Sequence, residues 1–362
     1  MIEAQIKITL SAPVLERAIR LVDTAAGSEP LNRYALLYSE RTVRMRATDG
    51  TLVVDFPIAG ERPLKYAYVL PIDPLRHFLK GKKEDVELVL GKEVRLFSEG
   101  ETLLIRPVRK EKPPPLHRSN MGAQISRSLL SSTLDFSSAH LAQGDHMQML
   151  VRDREFICLG VSDSHVACSK MPFGVTDSAC FIVPYESVRH LVKVLELVRR
   201  KVLMCGVLRE GVAISAGALE LFLYGAECEP DSVRETASFL FSHRCSSFWT
   251  VELSRIRRIL SRAARIQRLA PARATIRLSA DRISVCVSYE ESVFSSGIEP
   301  LYAQNPKPFE IALRTDKLSS VLARVNTRRI FLELTDRGLI VTDRNRKAVL
   351  ISSPQMYPQR VG

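Results

Sequence analysis

The sequence predicts an α+β chain that uses one domain-sized unit three times, and two observations carry that prediction. First, Tyr66–Gly81 (YAYVLPIDPLRHFLKG) returns as Ala179–Leu195 (ACFIVPYESVRHLVKVL), with Pro184 answering Pro71 and Arg189-His190 answering Arg76-His77 at the same offset. A fainter third copy is Pro308–Val325 (PFEIALRTDKLSSVLARV). Second, the flanks repeat as well. Each copy is followed by strands alternating through two turn signals, at Val86–Val108, Val202–Ala226 and Ile330–Ser353. Upstream, Arg46-Ala47-Thr48-Asp49-Gly50 answers Gly160-Val161-Ser162-Asp163-Ser164. Self-similarity at a domain-sized period implies one structural unit repeated around one kind of core.

Bulk properties agree with three such units. A chain of 362 residues that is 46% hydrophobic can bury substantial cores, and ~120 residues per unit is an ordinary domain size. No apolar run approaches the ~20 residues that span a bilayer, and the N-terminus lacks a signal-peptide pattern, so a cytoplasmic protein is expected. The seven cysteines show no C-x-x-C spacing. Buried reduced thiols are the expectation, with disulfides or zinc as alternatives. The formal charge of +12 favours a polyanionic partner.

Taken in order, Gln5–Leu10 alternates as a strand and Pro13–Ala25 reads as a helix with Leu15, Ala18, Ile19 and Val22 inward. Gly27–Asn32 is a turn, Tyr34–Ser39 and Thr42–Ala47 form a hairpin, and Leu52–Ile58 is another strand. In the repeated module a strand reaches Pro71, then Asp73 as N-cap and Pro74 in the first turn open a helix. The first domain therefore reads β-α-β-β-β twice over, and spans 1–125. Arg109–Ser128 is charged, proline-rich and non-periodic, a linker region. The second domain, 126–243, has a helix around Asp135–Gln143, strands at Gln148–Val151, Glu155–Val161 and Ala167–Pro172, and a helix at Tyr185–Arg200. Pro230–Glu235 leads to its boundary. The third, 244–362, opens with Phe248–Leu253, carries helices at Ser254–Arg268 and after Thr315 as cap, and closes with Lys347–Tyr357. Six helices are expected, two per domain, among a majority of strands.

The informative chemistry lies on the outer helix faces. In Ser254–Arg268, Leu253, Ile256, Leu260 and Ala263 point one way, and Arg255, Arg258, Arg262 and Arg265 form a stripe on another face. Arg189, Lys193 and Arg200 make the equivalent stripe in the second domain, and Arg76, Lys80 and Lys83 follow the first module. Arg17 and Arg20 lie on the first helix, and Lys317, Arg324 and Arg328 on and after the last. A single such stripe is ordinarily a solvated face. Five helices of six sharing the bias point to phosphate contact. Cations without interleaved aromatics suit backbone binding better than base stacking, so the implied binding is sequence-independent and salt-sensitive. The helix around Asp135–Gln143 has no Lys or Arg.

Catalytic constellations are scarce. The chain has no P-loop, no G-x-S-x-G, no H-E-x-x-H and no paired acidic motif of a two-metal nuclease. Asp163-Ser164-His165 reads as a turn aspartate beside a structural histidine, and Thr48-Asp49-Gly50 as a hairpin turn. No enzyme activity, cofactor or metal is expected.

Three repeats with these motifs resemble the bacterial sliding clamp, the beta subunit of DNA polymerase III. The residues that carry the resemblance are Ala47-Thr48-Asp49-Gly50, and Val161-Ser162-Asp163-Ser164-His165, which is similar to the family's A-T-D-G-H-R-L. Val183-Pro184 before a helix, Glu229-Pro230-Asp231 near the second boundary and a strand close to the C-terminus also match, in order along essentially the whole chain. The resemblance implies three clamp domains in a head-to-tail homodimeric ring, with helices lining a hole for duplex DNA and strands forming the outer wall. It implies a processivity factor that tethers a DNA polymerase and is served by a clamp loader. These partners would dock through short linear motifs in a pocket between domains two and three. The matching pocket positions are Ser162, Asp163, Ser164, His165, Val166 and Ala167, then Pro230 and Arg234, then Ile351, Ser353, Pro354, Gln355 and Met356.

The sequence departs from the family where partners would bind. Val166-Ala167 replaces Arg-Leu, and Ser353-Pro354-Gln355-Met356-Tyr357 with five further residues replaces the tail M-P-M-R-L. The family's L-P-I-L in domain one is absent, and family members are usually acidic overall. A divergent or accessory clamp is the reading. A clamp-folded monomer that binds DNA without closing a ring, and a DNA-processing enzyme with a dispersed site, are the alternatives.

Overall fold

Period-two alternation and proline-opened helices build one motif, β-α-β-β-β, six times over. The computed structural model describes residues 5–27, 33–113, 116, 121–243, 245–268 and 273–352. The first half-repeat is β1 (Ile6–Leu10), α1 (Ala12–Ala26), β2 (Tyr34–Ser39), β3 (Thr42–Thr48) and β4 (Leu52–Glu61). The second is β5 (Ala67–Pro71), α2 (Ile72–Leu79), β6 (Val86–Leu90), β7 (Val94–Ser98) and β8 (Glu101–Ile105). A short β9 (Val108–Lys110) follows. The third comprises β10 (Ala123–Ser126), α3 (Arg127–Ser138), β11 (His146–Arg152), β12 (Glu155–Val161) and β13 (His165–Pro172). The fourth comprises β14 (Ala179–Pro184), α4 (Tyr185–Leu197), β15 (Val202–Leu208), β16 (Gly211–Ala216) and β17 (Leu219–Tyr224). Then come β18 (Ala226–Glu227) and a helix outside the pattern, α5 (Pro230–Ser242). The fifth holds β19 (Ser247–Glu252), α6 (Leu253–Gln267), β20 (Arg273–Leu278), β21 (Ile283–Tyr289) and β22 (Ser292–Ile298). After β23 (Tyr302–Gln304), the sixth holds β24 (Phe309–Ala312), α7 (Thr315–Leu322), β25 (Arg329–Thr335), β26 (Gly338–Thr342) and β27 (Lys347–Ile351).

The halves of each pair exchange strands. The first strand of one half joins the last three of the other, so that β1 pairs with β6 and β5 with β2. The same exchange pairs β10 with β15 and β14 with β11, then β19 with β25 and β24 with β20. Twice, two such four-stranded groups fuse edge to edge. Strand β4 pairs with β17, matching Val53 to Phe222 and Leu52 to Leu223. Strand β13 pairs with β27, matching Val166 to Leu350 and His165 to Ile351. These joints make a nine-stranded and a ten-stranded sheet, while β1-β6-β7-β8 and β22-β21-β20-β24 remain four-stranded. Strands β8 and β22, at the positions of β17 and β4, have one edge with no strand partner among the described residues.

By contacts the chain divides into two compact units, Met1–Arg127 with Ser187–Gly225, and Ser128–Glu186 with Ala226–Gly362. The first contains the nine-stranded sheet and one four-stranded sheet, over a core that includes Leu15, Ile19, Leu37, Met45, Leu75 and Leu96. The second contains the other two sheets. Its larger core is built on Trp249, Leu260, Val285 and Leu332. A smaller one lies beneath α5, where Val233, Ala237 and Leu240 pack with Leu159, Val166 and Leu350.

Several expectations need correcting. Among the described residues there are seven helices, not six, because the sequence marks α5 only as the approach to a boundary. Helix α3 runs Arg127–Ser138, not Asp135–Gln143. Its inward face is partly polar, which hides the apolar period. Ser137 Oγ donates to the Cys158 carbonyl at 2.9 Å, and Ser169 Oγ to the Thr133 carbonyl at 2.7 Å. The strand beneath comes close enough that a Cβ on Gly160 would stand 2.0 Å from the Ser137 carbonyl oxygen. Asp73 does not cap α2, which starts one residue earlier; its carboxylate instead pairs with Arg33. Thr315 is the first residue of α7, and its hydroxyl and amide meet Gln267 Oε1. The strand expected to run through Val108 stops at Ile105, ahead of Pro107, whose missing N–H ends the ladder. Cys180 and Cys228 are disulfide-bonded, with Cα atoms 5.3 Å apart. Local spacing gives no hint of it, because the antiparallel match of Phe181 to Glu227 brings the two segments together.

Candidate nucleic-acid and partner interface

Helix α6 is the most polarised in the chain. Leu253, Ile256, Ile259, Leu260, Ala263 and Ala264 are buried, whereas Arg255, Arg258, Arg262 and Arg265 are exposed. At 1.5 Å per residue the four guanidinium groups are strung along ~15 Å of helix. Arg255 also pairs with Glu252 at 3.1 Å. Arg257 falls off the stripe for a structural reason. Its guanidinium donates to the Leu322 carbonyl at 2.9 and 2.6 Å and also to the Val325 carbonyl, satisfying the C-terminal end of α7. Arg127 does the same for α4 through the Leu195 and Val198 carbonyls.

The other expected cations divide into exposed and engaged. Arg20, Arg189, Lys193, Lys80, Lys83 and Arg328 are exposed, the last three just beyond their helices. Arg200 is exposed past the end of α4 and lies on Gly217, where a Cβ would stand 2.9 Å from its Nε. Arg17 is half-buried, 5.6 Å from the centre of the Phe56 ring. Arg76 is half-exposed and pairs with Asp23 at 3.1 Å and Asp73 at 3.2 Å. Lys317 is half-buried, and Arg324 pairs with Asp135 at 2.9 Å while donating to the Ser320 carbonyl. Arg324 is therefore a less available phosphate ligand than its place in the sequence suggests.

The positions named for a partner pocket are only partly at the surface. Ser162 to His165 form a tight turn, in which the Ser162 amide donates to the His165 carbonyl at 2.9 Å. Ser164 Oγ lies 2.8 Å from His165 Nδ1. Asp163 is exposed, but His165, Val166 and Ala167 are buried as β13 begins. Ile351 is buried opposite His165 across the β13–β27 joint. Burial, followed by the neighbouring His140, pushes the His165 pKa down to about 3. Burial and the Lys317 ammonium push that of His140 to about 4. Pro230 and Arg234 are exposed on α5, whose inward face covers Val166 and Leu350. Val166, one of the named pocket positions, is thus covered by a helix that pattern reading does not foresee, while Ile351 belongs to the core built on Trp249 and Leu260. Ser353, Pro354, Gln355 and Met356 lie outside the described residues.

Two constellations at the β4–β17 joint escape sequence reasoning as chemistry. Asp49 accepts the Thr51 and Leu52 amides at 3.0 and 2.7 Å, and its other oxygen lies 2.8 Å from His190 Nδ1 on α4. Burial acts against the carboxylate, but hydrogen bonds from His190, Leu52 and Thr51 outweigh it and hold Asp49 below its usual range. The His190 ring rests on Gly27, where φ is +70° and a Cβ would stand 2.5 Å from Cε1. A signal is present, since Asp49 and His190 both sit in the repeated motifs. Nearby, buried Asp55 meets Arg46 and Arg44, each at 2.7 Å, and Arg44 reaches Glu220 on β17 at 3.1 Å. Burial, reinforced by Asp55, raises the Tyr38 hydroxyl well above its ordinary value. Among the described residues no cluster of three or more His, Cys, Asp or Glu could hold a metal ion, and no helix is long and apolar enough to cross a membrane.

Solved structures share this architecture over nearly the whole chain. The DNA polymerase III beta subunit of Thermotoga maritima superposes with a TM-score of 0.78 at 16% identity, covering 99% of this chain and 100% of that one. The DNA polymerase sliding clamp of Bacillus subtilis gives 0.81 at 15% identity, covering 96% and 99%. The Pseudomonas aeruginosa sliding clamp bound to griselimycin gives 0.77 at 15% identity over the same shares. No protein-family model and no curated protein sequence matches. The chain has the fold of the beta sliding clamps, at 15–16% sequence identity to these three.

Proposed function

We propose that this clamp-folded chain is a sliding clamp: two copies close head to tail around duplex DNA and tether a polymerase there. The supporting observation is the pair of unpaired edges. Read as three domains, 1–125, 126–243 and 244–362, the chain makes two internal joints, β4 to β17 and β13 to β27. Both have the same form, a strand of one domain meeting the last strand of the next. The equivalent strands whose outer edge has no partner among the described residues are β22 of domain three and β8 of domain one. A second copy supplies each with the other's match, and a heterologous contact of this kind closes when the rotation closes.

Equivalence also fixes the register. The hairpin pairs Thr48–Val53, Val161–Val166 and Ser288–Val293 correspond, and Phe222, Leu350 and Leu104 occupy the same place in the last strands. The joint between copies therefore sets Val293 against Leu104 and Phe294 against Leu103. Val293 is 67% and Leu104 48% exposed in the single chain, two apolar groups that a joint would cover.

The exposed cations on α1, α4 and α6 and around α2 and α7 then serve as phosphate contacts without base readout. The protein acts in the cytoplasm as a scaffold, not an enzyme. Polymerase and loader dock by short linear motifs at the 162–167 turn, the exposed start of α5 with Pro230 and Arg234, and the tail containing Ser353 to Met356. The resemblance to the clamp family supports that placement.

The test is topological. Protein carrying both Leu104→Cys and Val293→Cys is mixed with nicked circular DNA and oxidised. Disulfide-closed dimers should then remain on the circle in high salt and leave when a restriction enzyme linearises it. Equal loss from circular and linear DNA would refute encirclement, and absence of a cross-linked dimer would refute the joint.

A further inference from the structure

We infer that the Cys180–Cys228 bridge is a redox latch on α5, and that opening it uncovers an apolar face across the β13–β27 joint for a partner's amphipathic helix. This inference rests on the docking part of the reading above and adds its regulation. Leu150, Ile157, Leu159, Val166, Ala348 and Leu350 form one cluster with the inward side of α5. By register, the places of Leu150, Ile157, Leu159 and Ala348 are taken beside the β4–β17 joint by Tyr38, Arg44, Arg46 and Glu220. There the three charged residues belong to the ion network around Asp55. The same surface of the repeat is thus polar at one joint and apolar beneath α5 at the other.

The cover is light. Helix α5 buries Val233, Ala237 and Leu240, and Glu229 at its N-cap makes no side-chain hydrogen bond to the first turn. Its rim rests on contacts that are individually weak. Arg337 lies over Phe239 at 4.5 Å, Lys170 over Phe241 at 5.0 Å, and Arg152 pairs with Asp231 at 3.5 Å. At the far end His243 meets Glu333 at 3.1 Å. The strong tie is covalent. Cys228 stands two residues ahead of the helix and fastens it to Cys180 on β14, which belongs to the covered cluster.

Cys180 is buried and Cys228 half-buried, so exchange begins at Cys228. A dithiol reductant supplies the chemistry. Its thiolate attacks Cys228 Sγ, and Cys180 leaves as a thiolate and takes up a proton. The second thiol of the reductant then closes the reductant's own disulfide and releases Cys228, which is protonated in turn. Two electrons and two protons pass to the bridge. In a reducing compartment such a bridge is transient, closing under oxidation. With it open, a helix that buries so little opens locally. A partner helix with apolar residues at the i, i+4 and i+7 spacing of Val233, Ala237 and Leu240 then takes its place.

Three measurements on the full chain test the latch, each made oxidised, reduced with dithiothreitol, and on Cys180→Ser with Cys228→Ser. Amides of α5 should exchange hydrogen at least ~10-fold faster with the latch open, while those of α6 stay unchanged. Cys168 lies in the covered cluster, and burial pushes its thiol up to about 12. It should resist iodoacetamide while the latch is closed and react once it opens. Cys158, buried on the opposite face of β12, should resist throughout. A fluorescent peptide of sequence 229–243 should bind the open protein at least ~10-fold more tightly than the oxidised one, because the tethered helix competes less. Reoxidation of the parent should restore protection, so the parent decides even if the variant fails to fold. Equal protection of α5 in both parent states would refute the latch. Faster exchange in α6 as well would make the bridge a brace for the whole unit and refute it too. Faster exchange in α5 without a gain in peptide binding would refute the docking face. None of these measurements needs DNA or a second copy, so encirclement stands or falls separately on the circular-DNA test.

Discussion

Placing a charge on the exposed edge strand β8 tests the proposed ring most sharply. Leu104→Asp changes a residue that is 48% exposed on β8, with no strand paired on its outer side among the described residues. Burying a whole Leu or Val side chain contributes about 1.5–3 kcal/mol. Covering the exposed half of Leu104 and two-thirds of Val293 then contributes about 2–3 kcal/mol at each joint. Aspartate forfeits the Leu104 share, and its carboxylate must be desolvated against Val293, which raises the loss to about 2–4 kcal/mol. The proposed ring contains two joints, so its dimer should weaken by about 4–8 kcal/mol, a thousandfold or more in dissociation constant. The isolated protomer should barely notice, because exposed substitutions away from special features stay within about 0.5 kcal/mol. Sedimentation equilibrium over a wide concentration range measures the first quantity, and thermal melting of the monomer the second. Val293→Asp should behave the same way, since the two residues oppose each other. Val202→Asp, equally exposed at 54% but on β15, should leave the dimer intact. A Leu104→Asp dimer within threefold of the parent, or a Val202→Asp protein that dissociates equally, would refute pairing through this edge.

Three other outcomes are expected. Replacing Arg255, Arg258, Arg262 and Arg265 with Glu should leave melting unchanged, since the core face of α6 is untouched, and should lower the salt slope of duplex binding by ~0.9 for each phosphate no longer neutralised; an unchanged slope assigns phosphate binding elsewhere. His140 and His165 are held neutral, with folded pKa values of about 4 and about 3 against 6.5 when unfolded. Their contribution is complete above the unfolded value and is lost as pH falls through about 6.5 toward 3, at up to ~1.4 kcal/mol per pH unit for each. Denaturant titrations from pH 7.5 to 4.5 should show this slope and should flatten for His165→Gln, and an identical slope in that variant would refute the assignment. Gly27→Ala should destabilise by about 1–3 kcal/mol through its positive φ and the His190 ring; combined with His190→Ala only the backbone part should remain, and purely additive losses would deny the contact.

What is legible in the sequence is what repeats or alternates. The prolines and the Arg-His pairs mark the module, and period-two strands fill in the six half-repeats almost in place. The arginine stripe of α6 is readable because Ile256, Leu260 and Ala263 set its phase without ambiguity. Helix α3 is hard to place because serines bonded to backbone carbonyls occupy positions where apolar residues would reveal the period. Helix α5 goes unseen because it belongs to no repeat, and its covering of Val166 changes the view of the pocket. Pairings across long separations leave no local trace: Cys180 with Cys228, Asp49 with His190, Arg257 with the end of α7. Each depends on which strands become neighbours, and strand exchange between halves is a property of topology that neither propensity nor period encodes.

That exchange has a consequence for the protein during its synthesis. On the ribosome, β1 emerges well before its ladder partner β6, which follows only after four further strands and two helices. Until then Ile6, Ile8 and Leu10 have no sheet to enter, and the same delay recurs for β10 and β19, which wait for β15 and β25. No half-repeat can complete its sheet alone, so folding advances in steps of two halves, and the fused joints form only when the following pair is in place. Non-local strand pairing of this kind is slow and leaves apolar edges open to neighbouring nascent chains. A polysome making this protein holds many copies of the same unfinished edge close together, so a holding chaperone should raise its yield most while the stretch from β1 to β6 is emerging.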